Sequence, residues 1–90
     1  MIEDRTQYQF PPTRFVSNSL WKEWWHLVSE VLELGWALLT GDLQGAASET
    51  WDVKQNSETI HRKLSGMGAD IKMARQEVFD RCLERGYYEG

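Results

Sequence analysis

The sequence predicts an all-α fold: a helical hairpin followed by a third helix. Three observations predict it. Apolar residues recur at helical spacing through three segments. Each segment opens on a capping residue and closes at a glycine. No stretch alternates apolar and polar residues as a half-buried strand would, and no internal repeat is visible. Ninety residues make one small domain. It divides into an N-terminal arm (1–18), a helical domain (19–86) and a C-terminal tail (87–90).

In the arm, Pro11-Pro12 excludes helix and favours extended chain. Tyr8, Phe10, Phe15 and Val16 give the arm apolar surface with which to pack on the body. The sharper alternative is a lid over a substrate. The first helix starts at Ser19, or at Ser17 or Asn18, all good N-cap types. It runs to about Leu39 or Thr40, where Gly41 suits the left-handed residue that follows a helix. Its apolar residues cover nearly the whole circumference, which predicts a helix buried against its hairpin partner and a second subunit. Asp42 caps a second helix that reaches about Leu64 or Ser65 before Gly66-Met67-Gly68 breaks the chain. A third helix runs from Asp70 as N-cap to Arg85 and stops at Gly86; Ile71, Ala74, Val78 and Cys82, with Phe79 and Leu83, form its apolar stripe. The tail from Tyr87 docks or frays.

A chain this short has a marginal core. Yet it carries five tryptophans and a nearly continuous apolar run in its first half, which predicts a homo-oligomer. A net charge of −4 argues against non-specific nucleic-acid binding. The lone Cys82 excludes an intramolecular disulfide and a cysteine zinc cluster. The charged start Met1-Ile2-Glu3-Asp4-Arg5 does not resemble a signal peptide. The apolar run from Leu27 to Leu39 is too short for a bilayer and contains two glutamates. A soluble, cytoplasmic protein with no membrane partner is expected.

Two acidic pairs at i, i+3 spacing flank the turn at Gly41-Asp42: Glu30/Glu33 and Glu49/Asp52. Residues three apart share a helix face. At about 100° per residue, His26, Glu30, Glu33 and Ala37 form a narrow stripe on the first helix. Gly45, Glu49, Asp52, Asn56, Thr59 and Lys63 form another on the second. With fourteen acidic residues in the chain, such pairs arise by chance, and a solvated or capping role is the plain reading of Glu49/Asp52 alone. Glu30 and Glu33 are different, because Ser29 is the only other polar side chain between Leu27 and Leu39. Four carboxylates inside an apolar hairpin are costly without a cation between them. An all-oxygen ligand set selects Mg²⁺, with Mn²⁺ also suitable, over zinc or copper. No Glu-x-x-His pair of the di-iron kind occurs at Glu30, Glu33 or Glu49.

These residues carry a resemblance. Ser29-Glu30-Val31-Leu32-Glu33 and Glu49-Thr50-Trp51-Asp52 resemble the E-E-x-x-E and E-x-x-D motifs of the MazG-like, all-α nucleoside triphosphate pyrophosphohydrolases. The similarity covers roughly residues 25–60. It implies a hairpin that dimerises into a four-helix bundle, as a homodimer or homotetramer. It implies Glu30, Glu33, Glu49 and Asp52 as Mg²⁺ ligands, with Glu30 or Glu33 taking the proton of the attacking water. It implies hydrolysis of a nucleoside triphosphate to monophosphate and pyrophosphate. One departure stands out: Ser29 occupies the position of the leading glutamate. A non-catalytic helical module for nucleotide binding or protein interaction is therefore the alternative. Asn56 and Lys63 are candidates to hold phosphates; an interhelix hydrogen bond and a solvated lysine are the plain alternatives. Arg75, Arg81 and Arg85 could reach phosphates from a second subunit or form a solvated face. His26, one turn before Glu30, is a candidate for metal or base contact, or an edge histidine. Trp25 is the candidate to stack on a nucleobase.

Overall fold

Short polar side chains and three glycines set the helix ends. The computed structural model describes residues 8–88. Helix α1 spans Leu20–Thr40, α2 Leu43–Gly66 and α3 Ile71–Glu84. At the start of α1 the Ser19 hydroxyl accepts from the Lys22 N–H at 3.2 Å. At its end Gly41 adopts φ 75°, and its N–H donates to the carbonyls of Ala37 and Leu38. Asp42 accepts from the Gly45 N–H at 2.9 Å and so opens α2 one residue after α1 has closed. Asp70 caps α3 in the same way through Met73. The ends lie within two residues of those expected, and the described residues contain no strand. No helix among them is long and apolar enough to cross a membrane.

α1 and α2 form the hairpin and pack along one another. Ala37 and Ala46 are the buried apolar residues, and they lie close to the turn, where small side chains let the backbones approach. Further along, the interface turns polar: Glu23 of α1 and Asn56 and Thr59 of α2 are buried.

The arm is tied to α2 by a run of polar contacts. Glu58 accepts from the N–H groups of Gln9 and Phe10 at 2.8 and 3.1 Å. Arg62 donates to the Phe10 carbonyl at 2.6 Å, and Lys63 to that of Val16 at 2.7 Å. The Phe10 ring meets Trp51 edge-on at 5.8 Å. The arm therefore packs on the body, as the apolar residues within it suggest. A short 3-10 turn at Arg14–Ser17, not foreseen from the sequence, packs against α2. Residues 1–7 of the arm and 89–90 of the tail lie outside the described residues.

α1 turns one face to α2, while Trp21, Trp25, Leu32, Trp36 and Leu39 are exposed along its outer face. α3 does not join the core. None of its residues is buried, it makes few contacts with α2, and Val78, Phe79 and Leu83 of its apolar stripe are exposed. Phe79 instead stacks on Tyr88 of the tail at 5.3 Å.

The hairpin turn depends on Gly41 alone for its left-handed residue. Gly41→Ala should destabilise the fold by about 1–2 kcal/mol, read as a lower urea midpoint with an unchanged slope.

Candidate functional site

The site follows from which faces the hairpin turns inward. On α1, Glu23, His26, Glu30 and Ala37 share one face by helical spacing. On α2, Glu49, Asp52 and Asn56 oppose it. Glu30, Glu49 and Asp52 each offer a carboxylate oxygen, and these oxygens lie within 4.8 Å of one another. Three of the four expected ligands thus meet. Glu33 stands exposed at the edge of the group, near enough for its charge to act on Glu49.

The acids lie between two cavities. A smaller one, about 190 Å³, is walled by Glu30, Asp52, His26 and Asn56 and roofed by Thr13 and Phe15 of the arm. A larger one, about 460 Å³, is walled by Glu33, Glu49, Trp36 and Thr40. The i, i+3 pairs are split between them, one acid of each pair facing each cavity.

As carboxylates these groups lack donors. Glu30 Oε2 and Glu49 Oε2 are buried oxygens with no hydrogen-bond partner. A proton supplies part of what is missing. Partial burial, a carboxyl–carboxyl hydrogen bond with Glu30, and then the charges of Glu33, Glu30 and Asp52 push Glu49 up to about 7. A divalent cation would supply more, since it meets several lone pairs at once. Orphaned oxygens, an all-carboxylate donor set and half-burial together fit a hard oxygen-seeking ion such as Mg²⁺.

The remaining expected site residues divide. Asn56 is buried and lines the smaller cavity. His26 lines it too, half-buried, with Nε2 3.4 Å from Glu30 Oε1 and its ring edge-on to Phe15 at 5.0 Å. Lys63 is not among the residues lining either cavity; it is engaged on the Val16 carbonyl. Trp25 is 67% exposed on the outer face of α1 and lines neither. Trp36 is the tryptophan beside the acids.

Sequence reasoning missed Glu23. It is fully buried, accepts from Asn18 Nδ2 at 2.8 Å, and leaves Oε2 without a hydrogen bond, 3.8 Å from His26 Nδ1. Lying in the first turn of α1, it reads as a dipole-compensating acid. The available signal was its place seven residues before Glu30, two turns along the same face, with His26 between them.

Scanned against protein-family models, curated proteins and solved structures, the chain gives no match.

The raised Glu49 pKa has a definite sign. The folded chain holds this proton more tightly than the unfolded chain does. Its contribution to stability is full below about pH 4.5 and is lost as pH rises through about 7. In chelator, the unfolding free energy of the wild type minus that of Glu49→Gln should fall across this window, measured by urea titration at several pH values. Millimolar Mg²⁺ should stabilise the wild type at pH 8 and leave Glu49→Gln nearly unmoved.

Proposed function

We propose that the chain is a Mg²⁺-dependent nucleoside triphosphate pyrophosphohydrolase of the MazG-like type, with Mn²⁺ able to replace Mg²⁺. The observation that carries this reading is the convergence of Glu30, Glu49 and Asp52 within 4.8 Å, with orphaned buried oxygens on the first two. The ion, when bound, would lower the pKa of a water and neutralise phosphate charge.

The chain's own residues take the following parts. Glu30, Glu49 and Asp52 hold the ion. Glu33, exposed beside them, accepts the proton of the attacking water, with Glu30 as the second candidate. Attack breaks the anhydride between the α- and β-phosphates and yields the monophosphate and pyrophosphate. Asn56 presents its amide to the smaller cavity and can donate to a phosphate oxygen. Neither lysine nor arginine is among the residues lining the two cavities. Phosphate charge therefore falls to the ion, and to Arg75, Arg81 or Arg85 of a second copy. Trp36 offers an aromatic plane for the base in the larger cavity, a role first expected of Trp25.

A second copy enters through α1. Trp21, Trp25 and Trp36, each at least two-thirds exposed, present on the order of 400 Å² of apolar surface. That already falls within the range of the largest patch on an ordinary monomer, before Leu32 and Leu39 are added. A homodimer or homotetramer that pairs two hairpins in a four-helix bundle covers this face.

One observation favours a second reading, a nucleotide-binding module without turnover. The Ser29 hydroxyl donates to the His26 carbonyl at 2.7 Å, so this side chain turns back on its own helix and brings no carboxylate.

Incubation with a panel of nucleoside triphosphates in Mg²⁺, assayed for pyrophosphate, separates the two. Hydrolysis is expected, with Glu33→Gln slower by about 100-fold or more and Asp52→Asn inactive. Binding of a triphosphate with no pyrophosphate released selects the second reading. Wild-type rates in both variants exclude the site.

The interface has its own test. Leu32→Glu should convert the oligomer to monomer in light scattering, with helicity retained in circular dichroism. A wild-type chain that is monomeric at micromolar concentration refutes the assembly.

A further inference from the structure

The largest fully buried side chain among the described residues is Glu23, and the proposed reaction assigns it no part. Its two oxygens are used unequally. Oε1 accepts from Asn18 Nδ2 at 2.8 Å. Oε2 is sealed from solvent, has no hydrogen bond, and lies 3.8 Å from His26 Nδ1. The other ring nitrogen of His26 lies 3.4 Å from Oε1 of Glu30. Phe15 closes the same ring edge-on. One side chain thus stands between a buried carboxylate and a carboxylate of the acidic group, clamped by the arm.

We infer that Glu23 is a positioning residue: through His26 it sets the orientation in which Glu30 meets a divalent cation. The inference rests on the metal reading of the acidic group. Its physical basis is general. A carboxylate that binds a metal is itself held by an outer hydrogen-bond partner, and that partner's geometry is set one step further out. An imidazole bonded at one nitrogen has its ring plane and its other nitrogen fixed. Glu23 Oε2 is the acceptor available to Nδ1–H. At 3.8 Å the pair is an ion-pair contact, longer than a hydrogen bond. A buried carboxylate oxygen with no hydrogen bond is costly, and the Nδ1–H of His26 is the nearby group that offsets its charge.

The plain rival is that Glu23 only compensates the dipole of α1 and anchors Asn18. The two readings part on His26. In the inferred arrangement His26 carries a proton on each ring nitrogen, Nδ1–H toward Glu23 and Nε2–H toward Glu30, and ¹⁵N NMR of the wild-type imidazole should show both, with exchange of Nδ1–H slowed on adding Mg²⁺. Glu23→Gln keeps the size of the side chain and an acceptor for Asn18 but weakens the hold on the ring. Mn²⁺ titration of the full chain by calorimetry should then give about 10-fold weaker binding, the lower end of what loss of such a partner costs. His26→Gln should weaken binding similarly, and the double variant little more than either single one, because both changes break one chain of contacts.

A wild-type His26 that carries a proton on only one ring nitrogen overturns the inference without recourse to any variant. So does Mn²⁺ binding by Glu23→Gln at wild-type affinity, which leaves the metal reading standing. Failure of the wild type to bind Mn²⁺ or Mg²⁺ overturns the metal reading and the inference together.

Discussion

Everything distinctive in this molecule follows from facing carboxylates across a helix hairpin without a donor between them. Hairpins are ordinarily closed by apolar side chains. Here the fully buried apolar residues among those described are Ala37 and Ala46, near the turn; beyond them Glu23, Asn56 and Thr59 are buried, and Glu30 and Glu49 are half-buried alongside Leu27, Leu34 and Val53. Like charges at this separation repel, and half-burial weakens the solvent's ability to screen them. The strain is visible in Glu49, which holds its proton up to about 7. A proton satisfies one pair of oxygens. A divalent ion would satisfy several at once, which is the basis of the metal proposal.

The arm belongs to this same economy of charge. Its backbone is spread on α2 by Glu58, Arg62 and Lys63, each bonded to main-chain groups of residues 9–16. That placement sets Thr13 and Phe15 over the smaller cavity and Asn18 against Glu23. Lys63, which lies on the acidic stripe of α2 by spacing alone, donates to the Val16 carbonyl and lines neither cavity. The arm thus walls the acidic group on one side, and the larger cavity beside Trp36 remains its open side.

Much of this was legible in the sequence, and what was not has physical reasons. Helix ends were readable because Ser19, Asp42 and Asp70 act locally, each bonding an N–H three residues away. The convergence of Glu30 with Glu49 and Asp52 was readable because helical spacing and one tight turn determine it. The splay of Glu33 was not, since a single residue step of about 100° near the edge of a face decides between cluster and solvent. Glu23 was hidden for a different reason. Spacing within α1 puts it on the face of Glu30, but the hydrogen bond that holds it comes from Asn18, outside the helix, and no periodicity reports that. The placement of the third helix was not legible either, since nothing in an apolar stripe names the surface that covers it.

That last point bears most heavily on α1. An ordinary surface helix turns its apolar stripe inward and its charges outward. α1 does the reverse: Glu23, His26 and Glu30 face α2, while Trp21, Trp25, Leu32, Trp36 and Leu39 face outward. Such a helix is mismatched to water on one side and to its own hairpin on the other. The proposed cation would resolve the inner mismatch and the proposed second copy the outer one. The metal and the assembly are therefore not independent proposals, because a single helix poses both problems. Its acidic face would make a poor core and its tryptophan face a poor surface. The two defects are consistent with one design, in which the site is built inside the hairpin and the outer face supplies the packing energy that the inside has given up.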